Sequence, residues 1–143
     1  MGGEGFTVID ADGLVLGRMA SIVAKRLLNG ERIIVVNAED AIISGNRKNI
    51  IKERKEFLEV GGARRGPIHW RRPDRFVRRT IRGMLPYRKP RGKEAFKRLR
   101  VYIGVPRGLE GRERETLEDA HVSRLRGKFV TVGAVAESIG WNP

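Results

Sequence analysis

The sequence of 143 residues contains no cysteine and no glutamine, and only two histidines, His69 and His121. The lack of cysteine excludes disulfides, thiolate zinc sites and a cysteine nucleophile. Because the two histidines have no ligand spacing around them, we expect no metal and no cofactor. No apolar run approaches the ~20 residues of a membrane helix, and the N-terminus lacks the basic and apolar segments of a signal peptide. We therefore expect a cytoplasmic protein with no membrane partner.

Acidic residues are scarce in one third of the chain. Between residues 64 and 107 there are only two, Asp74 and Glu94, against sixteen of the thirty Lys and Arg residues, which leaves a net charge of +14. The remainder of the chain carries a net charge of −1. Thirteen of the sixteen are Arg, whose planar fork of donors matches phosphate and stacks on bases. Charge concentrated in this way predicts a polyanionic partner, first of all a nucleic acid.

The sequence also lacks a recognisable catalytic pattern. None of its carboxylates stands in a paired-acid or metal-binding spacing, so they are interpreted as turn residues and helix caps. The carboxylates considered are Asp10, Asp12, Glu39, Asp40 and Asp74. We expect no enzyme and no small-molecule substrate.

A glycine-containing turn is the remaining feature that suggests an enzyme. The segment from Gly13 to Arg18 lies between an expected strand and helix, where phosphate-binding loops occur, but it fits neither common glycine motif. It is interpreted as a tight turn with a small residue, Gly17, where the helix meets the sheet. Arg18 is expected to contact a backbone phosphate. An enzyme acting on a nucleotide or RNA through this turn stays as an alternative.

Hydrophobic patterns predict a single α/β domain over residues 1–143. Residues 6–10 read as a strand, residues 15–28 as an amphipathic helix, and Ile33–Val36 as a strand covered on both faces. Together they form a βαβ unit with a parallel sheet. A third short strand is expected over residues 41–44, followed by a helix that ends at Gly62.

Beyond residue 62, repeated prolines predict loops joined by short helices. The helices are expected over residues 76–85 and 92–99, and a strand over 101–103. Residues 108–119 are expected to be irregular and exposed. Further on, residues 129–132 are expected to be extended and residues 134–139 helical.

Aromatic residues are interleaved with arginines in the basic segment. We expect Phe76, Phe96 and Tyr102 to belong to the core, and Trp70 and Tyr87 to stack on unpaired bases. No zinc finger, leucine zipper or clear helix-turn-helix is present, which favours RNA over DNA. A basic, DNA-compacting chromosomal protein stays as an alternative.

Short segments in a fixed order across about one hundred residues point to a known family. They run from Ile9-Asp10-Ala11 through Thr80-Ile-Arg-Gly-Met-Leu-Pro86 and Arg91-Gly92-Lys93 to Val101-Tyr102-Ile103-Gly104. In these segments the chain resembles the universal large-subunit ribosomal protein thirteen (the L-thirteen family), in its archaeal and eukaryotic form. After Gly104 the chain departs from the bacterial form, so bacterial contacts in that region are not transferred.

The resemblance implies a three-layer α/β/α fold with a four-stranded parallel sheet in the order 3-2-1-4, to which an Arg-rich, proline-broken extension is added. It also implies a structural constituent of the large ribosomal subunit. Such a protein binds large-subunit rRNA, supports early subunit assembly and adjoins other ribosomal proteins. The family's rRNA-contacting signature falls on Arg82, Gly83, Met84, Leu85, Pro86, Arg91, Gly92 and Lys93.

Charge pattern and resemblance together predict that residues 64–107 form the rRNA-binding segment. The predicted RNA-binding residues are Arg18, Arg64, Arg65, Arg71, Arg72, Arg75, Arg78, Arg79, Arg82, Gly83, Arg88, Lys89, Arg91, Gly92 and Lys93. Lys97, Arg98 and Arg100 are left out of this set because their neighbours are core residues.

Overall fold

A computed structural model describes residues 5–62 and 72–143 and, over residues 56–62, the backbone. The strands in these ranges are β1 (Thr7–Asp10), β2 (Ile33–Val36), β3 (Ile42–Ser44), β4 (Leu99–Val101) and β5 (Phe129–Thr131). The helices are α1 (Leu16–Leu28), α2 (Arg47–Gly62), α3 (Pro73–Gly83), α4 (Pro90–Lys97) and α5 (Val132–Ser138). Short 3-10 turns lie at Ala38–Asp40, Arg107–Leu109, Glu118–Ala120 and Val122–Arg124.

A parallel sheet forms the centre of the domain. Its order is β1-β2-β4, with Val8 opposite Ile34 and Val35 opposite Val101. All four residues of β2 are buried, as the uninterrupted β-branched run predicted, because a central strand is covered on both faces. Helix α1 connects β1 to β2. The predicted α/β class and parallel sheet are thereby confirmed.

The predicted four-strand order is not confirmed by the structure. The third expected strand, β3, pairs antiparallel with β5, with Ile42 opposite Thr131. The fourth, β4, lies beside β2 and not beside β1. The other edge of β1 carries an isolated parallel bridge between Ile9 and Glu115, in which the amide of Asp10 donates to the carbonyl of Glu115 (2.9 Å) and the amide of Glu115 donates to the carbonyl of Val8 (2.8 Å). Among the described residues, the parallel sheet thus has three strands in the order 1-2-4.

The two faces of this sheet are covered differently, and the expected three layers are not found in the described ranges. One face packs Ile9, Val35 and Val101 into the main core together with residues of α1, α3 and α4. The opposite face packs Val8, Ile34 and Val36 against Leu109, which is 4% exposed and lies in a 3-10 turn. A helical layer therefore covers one face and an irregular segment the other. The prediction that residues 108–119 are exposed is wrong at Leu109.

Prolines begin the helices of the basic segment. Pro73 and Pro90 occupy the first positions of α3 and α4, where the missing N–H costs nothing and the fixed φ suits a helix. Both helices accordingly begin two or three residues earlier than predicted. Because α4 also ends earlier, at Lys97, the following strand occupies Leu99–Val101 and not residues 101–103.

Candidate nucleic-acid interface

Helix α3 carries a stripe of arginines along one face. Arg75, Arg78, Arg79 and Arg82 follow the spacing i, i+3, i+4, i+7, which places side chains on the same side of a helix. The opposite side carries Val77 and Ile81, both 0% exposed. Burial of these apolar residues against the sheet therefore fixes which face of α3 the arginines occupy, and that face points away from the core.

A compact turn joins α3 to α4. Leu85 is 6% exposed and anchors the turn in the main core. The amide of Leu85 donates to the carbonyl of Arg82 (3.0 Å), and the amide of Lys89 donates to that of Pro86 (3.0 Å). The exposed side chains of Arg88 and Lys89 lie at the end of this turn. The backbone that presents them is held by hydrogen bonds and by a buried anchor.

The two glycines of the predicted set have different roles in the structure. Gly92 is buried inside α4, and a Cβ atom there would lie 2.0 Å from the carbonyl oxygen of Pro86. Gly92 thus allows α4 to approach the turn. Gly83 ends α3 on the exposed surface, and a Cβ atom there would meet nothing within 4 Å. Nothing in the described fold requires a glycine at position 83.

Two guanidinium groups of α3 lie over aromatic rings. Arg78 lies 4.3 Å from the ring centroid of Phe96, and Arg82 lies 4.1 Å from that of Tyr87. The two rings meet edge to face, with centroids 5.5 Å apart. Cation–π contacts of this kind hold a guanidinium in place without neutralising its charge. Phe96 packs against the main core, as predicted, and also supports Arg78, while Tyr87, predicted to stack on bases, supports Arg82.

The arginine stripe borders two concave surfaces. The first, which we call the turn recess, has a volume of about 610 Å³ and includes Arg79, Arg82, Gly83, Tyr87, Arg88 and Lys89 in its lining. The second, of about 630 Å³, lies between α3 and Phe96. Arg79 and Arg82 line both of them. The positive charges therefore surround two concave surfaces and are not spread over a flat one.

Seven cationic residues of this surface lack carboxylate partners in the described parts of the chain. Within residues 5–62 and 72–143, no ion pair involves the last three arginines of the stripe, the two basic residues of the turn or the first two basic residues of α4. These residues are Arg78, Arg79, Arg82, Arg88, Lys89, Arg91 and Lys93. Elsewhere charges are matched, as at Arg26, which contacts Glu31 (2.7 Å) and Glu115 (3.1 Å). An uncompensated set of cations on one surface suits a polyanion.

Sequence reasoning missed Arg54, which lies outside the segment of high charge. This half-buried residue of α2 places its guanidinium 4.3 Å from the ring centroid of Phe76. Burial lowers the pKa of Arg54, and the positive charge of Arg79 lowers it further. Like charges therefore already repel one another beside α3. The signal available in the sequence was its spacing, which places Arg54 on the same side of this helix as Ile50 and Ile51.

Other predicted residues lie elsewhere. Arg64, Arg65, Arg71 and the stacking candidate Trp70 fall outside the described residues. Arg72 precedes α3 and contacts Asp74 (3.3 Å). Arg18, on α1, is exposed, and its guanidinium donates to the carbonyl of Asp119 (3.5 Å). Arg18 therefore lies beside the 3-10 turn at Glu118–Ala120.

The three basic residues left out of the prediction all have internal contacts. Lys97 contacts Glu94 (3.5 Å). Arg98 donates through Nη2 to the carbonyl of Leu27 at the end of α1 (2.7 Å). Arg100 lies 4.7 Å from the ring centroid of Phe6, which packs on the opposite face of the sheet from α3.

The carboxylates serve the fold. Asp10 accepts from the amide of Asp12 (3.0 Å) and from the side chain of Asn37 (2.9 Å), while Glu39 accepts from the amide of Gly104 (2.9 Å). Burial raises the pKa of Asp40, and the charges of Glu39, Asp12 and Asp10 raise it further. No group of three or more potential ligands in the described ranges is arranged to hold a metal ion. These acids are the turn-forming residues that the sequence predicted.

The glycine turn between β1 and α1 is partly as predicted. Gly13 has a φ of +75°, which a tight turn requires and which glycine adopts without strain. Gly17 is exposed, and a Cβ atom there would meet nothing within 4 Å, so the expected packing of this residue between helix and sheet is wrong. In the described part of the chain, no helix combines the length and apolarity needed to cross a membrane.

The fold and its surface define a class: a small α/β protein that presents an uncompensated, arginine-rich surface of the type nucleic-acid-binding proteins use. Residues 4–108 match the model of the family described as ribosomal protein L13. The chain is 48% identical to the large ribosomal subunit protein uL13 of Archaeoglobus fulgidus, over 97% of the chain and 90% of the relative.

Two further relatives are also large ribosomal subunit proteins. The uL13 protein of Methanosarcina barkeri is 51% identical over 94% of the chain and 97% of the relative. That of Methanopyrus kandleri is 50% identical over 96% of the chain and 89% of the relative. The chain therefore belongs to the ribosomal protein L13 family, whose members are structural proteins and not enzymes. The predicted resemblance is confirmed.

Proposed function

We propose that this protein is a structural constituent of the large ribosomal subunit that binds large-subunit rRNA and supports early subunit assembly in the cytoplasm. The relatives named above are large ribosomal subunit proteins, and they support the placement. Its partners are then rRNA and the neighbouring ribosomal proteins. We further propose that the predicted residues from Arg64 to Lys93, together with Arg18, contact the rRNA.

The observation that carries this proposal is the surface formed by α3, the following turn and α4. Arg78, Arg79 and Arg82 take part in no ion pair within the described ranges, Arg78 and Arg82 are held over rings, and all three lie on the face of α3 turned away from the core. Phosphate neutralisation would remove the repulsion among these charges, and each neutralised phosphate releases condensed counterions. RNA binding therefore both uses and stabilises this arrangement.

The test is the salt dependence of binding to transcribed large-subunit rRNA. Each lost phosphate contact reduces the slope of log K against log salt by roughly 0.7–0.9. Replacing Arg78, Arg79 and Arg82 together with Ala should therefore flatten the slope by about 2–3 units. An unchanged slope would show that these three residues do not contact phosphates.

A matched control separates local contacts from net charge. Replacing Arg114, Arg126 and Lys128 with Ala removes the same charge from exposed positions outside α3 and α4. We expect its slope to stay close to that of the wild type. Equal flattening in both triple variants would mean that only the overall charge matters.

Co-sedimentation tests the ribosomal placement. The protein should travel with the large subunit and stay there after DNase treatment. Loss of the protein from the subunit fraction on DNase treatment would instead favour a DNA-compacting role.

A further inference from the structure

The turn recess is built before any ligand arrives. Its floor follows the turn from Leu85 to Lys89, which a buried leucine and several backbone hydrogen bonds hold in place. The lack of a side chain at Gly92 lets α4 pack closely against the carbonyl of Pro86 in that turn. A recess with such walls binds a ligand without the cost of ordering a loop first. Its volume of about 610 Å³ falls in the roughly 300–1,000 Å³ range of small-ligand sites.

A planar platform stands at the side of this recess. Arg82 covers one face of the Tyr87 ring at 4.1 Å, so that face is closed to a base. Arg82 itself is exposed, and the half-buried ring of Tyr87 backs it. A guanidinium held on a ring offers its outer face for stacking, and bases stack on arginine planes as they do on aromatic rings. Arg82 is thus the stacking surface, and Tyr87 is the residue that positions it.

The rim of the recess provides phosphate donors and room for a backbone. Arg79, Arg88 and Lys89 supply positive charge around the platform. Gly83 also lines the recess and presents no side chain, although a Cβ atom would meet nothing within 4 Å. An external chain can therefore approach the end of α3 closely. The combination of a planar stacking surface, cationic rim and open backbone matches the parts of a nucleotide.

We propose that the turn recess binds one unpaired RNA nucleotide, with its base stacked on Arg82 and its phosphate against Arg88 or Lys89. This inference rests on the proposed rRNA binding and states which element of the RNA the surface recognises. A paired nucleotide keeps its base inside the helical stack and offers the recess only its backbone. A bulged or looped nucleotide can turn its base outwards, at a cost that is lowest when the base is already unpaired.

The experiment compares three RNA hairpins that share the same stem sequence. One has a single bulged nucleotide, one has an abasic residue at the bulge, and one is fully paired. The abasic hairpin keeps the phosphates and the backbone distortion and lacks only the base. We expect wild-type protein to bind the bulged hairpin about fivefold or more tightly than the abasic one, as expected for loss of one stacked base.

Two conservative variants locate the site. Arg82→Lys keeps the charge but removes the plane, so it should lose the preference for the bulged hairpin while retaining the salt slope. Arg126→Lys makes the same replacement at an exposed position outside α3, the turn and α4, and should retain both. Circular dichroism and the unfolding temperature of each variant show whether the fold is intact.

The outcomes separate this inference from the proposed function. Binding of all three hairpins with equal affinity would overturn the nucleotide site and leave rRNA binding in place. A preference that survives in Arg82→Lys would overturn the assignment to this recess. Absence of binding to the hairpins and to large-subunit rRNA alike would overturn the proposed function itself.

Discussion

The contact between Gly92 and the turn before α4 leads to a quantitative stability prediction. A Cβ atom at position 92 would lie 2.0 Å from the carbonyl oxygen of Pro86, 2.3 Å from its carbonyl carbon and 2.8 Å from the amide nitrogen of Tyr87. All three are backbone atoms, so no side-chain rotation relieves the overlap. Gly92→Ala therefore requires α4 and the turn to separate by roughly 1 Å, which is the strain that overpacking introduces.

The expected cost follows from two opposing effects. Overpacking of a tight contact costs about 1–3 kcal/mol, and a backbone overlap this close belongs to the upper part of that range. Alanine in a helix recovers up to about 1 kcal/mol relative to glycine. The net loss is then ~2 kcal/mol, or a decrease of roughly 6–8 °C in the unfolding temperature of a chain of this size.

Gly83→Ala is the matched control because the same replacement meets no atom within 4 Å. We expect it to stabilise the free protein by about 0.5–1 kcal/mol through helix propensity. Urea and thermal unfolding, monitored by circular dichroism, measure both variants. If Gly92→Ala unfolds at or above the wild-type temperature, the close approach of α4 to the turn is not what requires this glycine.

Three further predictions concern the same fold. Gly83→Ala should weaken RNA binding although it stabilises the free protein, which fluorescence titration beside the unfolding curve would show; equal affinity would mean that no RNA backbone approaches this position. Leu109→Ala should cost about 2–4 kcal/mol, since Leu109 covers the second face of the sheet; a loss below ~1 kcal/mol in urea unfolding would show that this face is covered by other residues. Burial and neighbouring carboxylates raise the pKa of Asp40, so its ionised form destabilises the fold at neutral pH. Asp40→Asn should therefore unfold at a higher temperature than the wild type at about pH 7 and lose that advantage as the pH falls through the raised pKa towards about pH 3; a difference that is independent of pH would contradict the assignment.

Local patterns determined the elements that depend on near neighbours. The apolar spacing of Leu16, Met19, Val23 and Leu27 predicted α1, and these residues are all buried. The β-branched run predicted β2 as a strand covered on both faces. Such features survive because the same side chains that set the local preference also enter the core.

The arrangement of strands was not available from such patterns. The short strands β3 and β4 have similar apolar residues, yet β3 pairs with β5 across more than eighty residues of sequence and β4 joins β2. Pairing is decided by which edges remain free once the chain is packed, and Glu115 already covers the edge of β1. The family resemblance suggested a fourth parallel strand beside β1, and in the structure that place holds a single parallel bridge between Ile9 and Glu115.

The sequence by itself determined that this protein carries a concentrated positive charge and belongs to a ribosomal protein family, because composition and ordered motifs do not depend on how the chain is packed. Only the tertiary structure decided which of those charges form a surface. Packing turned Arg78 and Arg82 onto aromatic rings while Arg98 was used to cap α1. It also separated Gly92, which the fold needs, from Gly83, which it does not. These distinctions arise from contacts between residues distant in sequence. The order of charges along the chain does not reveal those contacts.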